Sequence, residues 1–255
     1  MRCGAAPSLE SAPRHWSHEA LSSPEDVTAA DVFAVAARLL ERLANEQLPV
    51  LSRAGELLAG RLMAGGDIYV FGTGHSRVVA MELAGRAGGL AGIKELVLDE
   101  LVAAGKADRT ELVDGTLERR PEAARALLEP LTIEPVDSFI VISHSGCNGA
   151  PVEMALQARQ CDLPVVAITS LEHSRMIKSR HPSGLRLFEV ADLCIDTCAP
   201  YADTAIRLPC ELGVCSVSSI AGVLIAQALT SEIVGRYLQA GVKPPLLLSR
   251  NLSGY

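Results

Sequence analysis

Residues 67–89 read DIYVFGTGHSRVVAMELAGRAGG, and three kinds of chain follow one another in that stretch. Ile68, Tyr69, Val70 and Phe71 form an unbroken apolar run, the pattern of a strand covered on both faces. Gly72, Thr73, Gly74, His75 and Ser76 come next, and from Arg77 to Arg86 apolar residues return at helical spacing. Strand, glycine-rich turn and helix make the start of a βα unit. Such turns lie at the carboxyl ends of the strands, where open parallel sheets bind ligands. The glycines permit close backbone approach, and the N–H groups that open the helix attract an anion. The turn lacks the third glycine of a dinucleotide fingerprint and the lysine of a P-loop, so neither of those readings applies.

The same plan recurs along the chain. Strands are predicted at Ile68–Phe71, Ile93–Leu98, Ser138–Ser143, Val165–Thr169 and Leu193–Asp196. Helices are predicted at Arg77–Arg86, Pro121–Leu128, Pro151–Arg159 and Leu171–Lys178, with Leu101–Thr116 as an exposed loop. "FIVIS" and "VVAIT" are continuous apolar runs like the first. The pattern predicts an α/β fold: a three-layer α/β/α sandwich around a five-stranded parallel sheet. Two helices precede it, one beginning at Thr28 and one over Pro49–Met63, and a last helix runs from Val214 to Leu238. Residues 1–27 are rich in Pro, Ser and Ala and read as a mobile arm, with residues 28–255 as a single domain.

Composition narrows the function classes. The 255 residues, 49% of them hydrophobic, suffice for one sizeable core. A net charge of −7, the lack of a basic block and 4% aromatics argue against a nucleic-acid surface. An odd set of seven cysteines in a chain this large predicts reduced thiols and a cytoplasmic protein. Cys194, Cys198, Cys210 and Cys215 contain no C-x-x-C pair, so no metal is expected. Residues 1–20 show no apolar signal-peptide segment. The run Leu212–Ser231 is uncharged and long enough for a bilayer, but Ser216, Ser218, Ser219, Gln227 and Thr230 favour a helix buried in protein over a membrane span. Its apolar residues on more than one face, with Leu39 and Leu43 of the first helix, predict a homodimer or homotetramer.

The second serine turn sharpens the picture. In DSFIVISHSGCNGAPVEMALQARQ, a buried strand again ends in Ser143, His144, Ser145, Gly146, Cys147 and Asn148 before a helix. Hydroxyls and backbone N–H groups in that arrangement can wrap a phosphate. A third strand ends in Thr169 and Ser170 at the same edge.

The two turns, together with "RAGG", "TSLEHS", "SRHPSGLRL" and "EVAD", resemble the sugar isomerase (SIS) domain family over residues 30 to 240. The resemblance implies a flavodoxin-like sandwich that binds a phosphorylated sugar without an organic cofactor. By position, Ser143, Ser145 and Asn148 would hold the phosphate with Ser76 close by, although Asn148 stands where many members have Thr. Gly74, His144, Thr169, Ser170, His173 and Asp203 are further pocket candidates.

Aldose–ketose isomerisation through an enediol needs a base and a proton carrier between two oxygens. Glu82, His181 and His75 are the candidates here, each weighed against an ordinary solvated side chain. A non-catalytic phosphosugar sensor and an amino-sugar-phosphate lyase are the alternatives. Arg86 stands near the position of the etherases' characteristic glutamate, which counts against the lyase.

Overall fold

The computed structural model describes residues 27–208, 212–249 and 251. Helix α1 (Ala29–Glu46) opens where the Asp31 carboxylate accepts the Thr28 N–H at 2.8 Å, which satisfies a donor the helix cannot. Helix α2 (Leu48–Met63) carries Pro49 in its first turn, where no backbone donor is missed.

Strands β1 (Ile68–Gly72), β2 (Ile93–Leu96), β3 (Ser138–Ile142), β4 (Val165–Thr169) and β5 (Leu193–Asp196) form one sheet in the order β2-β1-β3-β4-β5. Every pairing is parallel, with Ile68 beside Ile93 on one flank and Ser138 on the other. The strand period of two divides the side chains between two cores. Ile68, Val70, Ile140, Ile142, Val166 and Ile168 pack with α1, α2, α3 (Arg77–Leu83) and α10 (Ser218–Gln239). Tyr69, Phe71, Phe139, Val141 and Val165 pack with α4 (Asp99–Ala103), α6 (Pro121–Leu128), α7 (Gly149–Gln160) and α9 (Leu187–Val190). The result is the expected three-layer sandwich on a five-stranded parallel sheet.

Several boundaries differ from the sequence reading. Helix α3 stops at Leu83, and α8 (Leu171–Met176) stops before Lys178. The stretch 101–116 is not an open loop. Helix α4 and helix α5 (Arg109–Val113) occupy it, and Leu101 is buried. The last helix begins at Ser218 rather than Val214, because Gly213–Val214 (β7) pairs antiparallel with Ile206–Arg207 (β6). Cys215, at φ +66°, then turns the chain out of any helical path. Residues 1–26 of the expected arm, with Cys3 and Cys210, lie outside the described residues.

The outward apolar surface is not the one the helical pattern predicts. Leu39 and Leu43 face the core, not a partner, and so do Ile225, Leu229 and Ile233 of α10. Among the apolar residues left outward are Phe33 and Leu40 on α1, Val78 and Met81 on α3, and Ile220 and Leu224 on α10. Among the described residues α10 is long and apolar enough to cross a membrane, yet Ala221, Ile225, Leu229 and Ile233 are embedded in the core beneath it.

Helix α2 crosses α10 at Gly55, where an added Cβ would lie 2.5 Å from Glu232 Cβ. Nothing lies within 4 Å of the same atom built on Gly60, five residues along α2. Gly60→Ala is therefore expected to stabilise the fold by about 0.5–1 kcal/mol through helix propensity. Gly55→Ala should lose about 1–3 kcal/mol, since overpacking outweighs that gain. Urea denaturation of the two variants beside the parent measures both signs.

Candidate functional site

The chain leaves β1 toward β2 on one side and leaves β3 toward β4 on the other, so the turns after these neighbouring strands diverge and open a crevice. Close packing dictates the first turn. A Cβ on Gly72 would lie 2.6 Å from the Ser76 carbonyl oxygen, and Gly74 sits at φ +54°. A short 3-10 turn over Gly74–Ser76 follows. Ser76 Oγ then accepts the His144 N–H at 3.4 Å, so the two serine turns touch.

The second turn is braced from within and from outside. Ser143 Oγ accepts the Gly146 N–H at 3.1 Å, with Gly146 at φ +60°. The carbonyls of Gly146 and Cys147 accept the N–H groups of Leu187 and Arg180, each at 2.8 Å. Ser145 is half-buried, and the Cys147 thiol reaches its Oγ at 3.3 Å. Asn148, buried, is the residue from which α7 starts.

A polar chain crosses the crevice. Thr73 Oγ1 donates to Glu118 Oε2 and Asn148 Nδ2 donates to Glu118 Oε1, both at 2.6 Å. Arg180 donates in turn to Asn148 Oδ1 at 2.6 Å. Glu118 reaches this place because the 3-10 turn Leu117–Arg119 lies against the start of α7, where only glycine fits. A Cβ on Gly149 would be 2.2 Å from the Arg119 carbonyl oxygen.

On the side of α3 and α10 lies a small cleft walled by His75, Ser76, His144, Thr197 and Ser218. His144 stacks on His173 with ring centroids 4.8 Å apart, and His173 leans on Tyr201 at 5.2 Å. Both His144 ring nitrogens are buried without a hydrogen-bond partner among the described residues. Burial pushes its pKa down, against the pull of Asp203 and Asp196, and favours a neutral ring. For His173 burial, then His144, and then Arg180 outweigh Asp203 and bring the pKa down to about 4.

The other candidates from the sequence fall in four places. Thr169 Oγ1 and the Ser170 N–H both donate to the His144 carbonyl, and Ser170 Oγ donates to the Ala199 carbonyl at 2.7 Å. These two residues hold the turn from behind. Asp203 accepts the N–H groups of Val217 and Ser218 and the Ser218 hydroxyl, so it caps α10. Glu82 pairs with Arg86 and Gln227 on the α3–α10 surface, and Arg86, ahead of Gln227, holds its carboxyl below the usual range. His181 lies across α7, with Nε2 2.7 Å from Glu153 Oε2. Neither Glu82 nor His181 is among the residues lining the cleft. Glu118 and Arg180 were not candidates from sequence: no motif includes Glu118, and nothing sets Arg180 apart within SRHPSGLRL.

The family profile described as the SIS domain matches residues 32–170. A UPF0309 protein of Halalkalibacterium halodurans is 34% identical over 218 residues, which cover 85% of this chain and 88% of that one. Another, from Caldanaerobacter subterraneus, is 35% identical over 219 residues, covering 84% and 87%. The chain belongs to the SIS domain family.

Solved structures agree in fold. The phosphoheptose isomerase of Francisella tularensis superposes with a TM-score of 0.57 at 18% identity, over 81% of this chain and 98% of its own. That of Neisseria gonorrhoeae gives 0.56, also at 18% identity, over 80% and 96%. The profile takes in both serine turns of this SIS domain and ends at Ser170. The segment with Arg180 and His181 lies beyond it.

The half-buried histidines have a consequence for stability. Between pH 6.5 and 4 the unfolded chain protonates His173 while the folded chain does not. Stability is fully present above that window and falls as pH drops through it, and the lowered His144 acts in the same direction. Denaturant unfolding at pH 7 and pH 5 should show the loss, and His173→Phe, which keeps a ring in the stack, should make it smaller. An equal loss in that variant refutes the assignment.

Proposed function

We propose that this SIS domain binds a phosphorylated sugar in the crevice between the β1 and β3 turns and interconverts its aldose and ketose forms. The observation that carries the reading is His144: a neutral imidazole, both nitrogens unpartnered, set between the serine turn and the cleft. Ser143 and Ser145, with the N–H groups that open α7, are the phosphate cradle. Ser76 stands on the opposite turn within hydrogen-bond reach of it.

In this reading the sugar extends toward His75 and Ser218, which line the small cleft. Isomerisation moves the C2 proton of the aldose to C1 of the ketose, and a second proton passes between O1 and O2. In this reading a neutral His144 carries protons near pH 7, having both a donor and an acceptor free. Glu118, aimed at the Gly74 peptide with its Oε2 3.7 Å from that residue's ideal Cβ, is the carboxylate nearest the β1 turn in the described network. Its contacts support it as the base better than those of Glu82, which faces Arg86.

Hexose, heptose and N-acetylamino-sugar 6-phosphates incubated in D2O and followed by NMR test this directly. Deuterium should enter at C1 of the ketose as it forms, and at C2 of the aldose when the reaction runs back. His144→Gln should abolish exchange and leave binding largely intact. Ser143→Ala/Ser145→Ala should lose affinity, with each charge-assisted hydrogen bond contributing about 1.5–3 kcal/mol. Binding without exchange of any member would instead mark a sensor, and full exchange by His144→Gln removes that residue from the chemistry.

The same surface supports a homodimer. Val78 and Met81 of α3 (46% and 54% exposed) and Ile220 and Leu224 of α10 are outward apolar residues on two helices that pack together. These helices adjoin the cleft at His75, Val79 and Ser219. Such a surface at the mouth of a site suits a second copy, which would also shield the crevice from water. Sedimentation equilibrium at low micromolar protein should give at least twice 26.9 kDa. Leu224→Glu should lower that mass, and a clean monomer in the parent refutes the interface.

A further inference from the structure

The segment between α8 and α9 crosses the beginning of α7, and three contacts fasten it there. The Arg180 N–H donates to the Cys147 carbonyl at 2.8 Å. Its guanidinium donates to Asn148 Oδ1 at 2.6 Å. The next residue, His181, sets Nε2 2.7 Å from Glu153 Oε2 and Nδ1 2.8 Å from Ser183 Oγ. His181 and Glu153 are both buried, so water does not compete for this last contact. Glu153 also meets Arg125 at 3.4 Å and Gln157 at 2.8 Å, which leaves it no freedom to follow another partner.

Arg180 itself is exposed. Among the described residues no carboxylate lies within 4.0 Å of its guanidinium. A guanidinium has five N–H donors, and a contact with one neutral amide oxygen engages few of them. Here is a fixed cation with unused donors, one hydrogen bond from the residue that ends the serine turn.

We propose that Arg180 is the cationic ligand of the substrate's phosphate and that the buried His181–Glu153 pair is its positioning peg. The inference rests on the phosphosugar reading and adds selection: the site would take phosphorylated sugars and refuse free ones. On binding, the guanidinium exchanges the neutral Asn148 Oδ1 for charged phosphate oxygens, which accept two parallel N–H bonds. The serine turn supplies hydroxyl and backbone donors but no formal charge, and Arg180 supplies the charge. His181 acts only through Arg180 and touches no reacting atom.

Titration of the full chain with inorganic phosphate and with the hexose 6-phosphates, followed by 31P NMR, tests the proposal. Arg180→Gln should weaken both about ten- to a hundredfold, and Arg180→Lys should recover part of the loss. His181→Ala should weaken binding in the parent but add nothing to Arg180→Gln, since the two act as one unit. A purely structural histidine would give additive losses, and that outcome overturns the peg. Sugar-phosphate binding that weakens in Ser143→Ala/Ser145→Ala yet stays unchanged in Arg180→Gln overturns the role of Arg180 and leaves the parent reading standing. A wild-type chain that binds neither inorganic phosphate nor any sugar phosphate overturns both.

Discussion

Everything at the candidate site depends on β1 and β3 being neighbours that are buried on both faces. Ile68 and Val70 look into one core, Tyr69 and Phe71 into the other, and β3 repeats the division with Ile140, Phe139 and Val141. Two strands held that firmly cannot slip in register without moving every apolar side chain to the wrong layer. Their carboxyl ends are therefore fixed relative to each other, and so are the turns that leave them. The contact between Ser76 Oγ and the His144 N–H is a result of this register.

A second constraint acts at closer range. Gly72 accepts the Ser76 carbonyl against its Cα, and Gly149 accepts that of Arg119. Each packs a backbone where a Cβ would not fit, and each brings a side chain into the crevice: Ser76 in the first case, Glu118 in the second. Small residues act here as spacers that decide which polar groups meet. Asn148 can then join Glu118 to Arg180, its amide donating at one end and accepting at the other. A neutral group between a carboxylate and a guanidinium keeps the charges apart while polarising both hydrogen bonds.

The sheet was legible because it rests on local pattern. Continuous apolar runs such as IYVF and VVAIT become strands with little change in their ends, and the serine turns stand where the runs stop. The later part of the chain was harder to read. Val214 looked helical by composition, but a two-residue hairpin and the positive φ at Cys215 claim it. Leu39 and Leu43 looked like an outward stripe because no pattern shows which face of a helix meets the sheet. Asp203 looked like a pocket acid, and only the fold shows its carboxylate turned to the N–H groups that open α10. Glu118 and Arg180 meet Asn148 across 30 and 32 residues of chain, and Thr73 meets Glu118 across 45. Contacts of that range leave no periodic trace in a single sequence.

The distribution of charge around the crevice follows from the same burial that fixes its shape. Histidines there lose their protons, since the His173 ring, pressed between His144 and Tyr201, is too poorly hydrated to hold a cation. A site that must meet a phosphate cannot rely on such groups for positive charge. It needs a cation that does not titrate in this range and that stays at the rim, where desolvation is small. Arginine meets both conditions. Under the proposed function, neutral histidines within and a guanidinium at the edge would separate proton transfer from anion binding, so a change in one need not disturb the other.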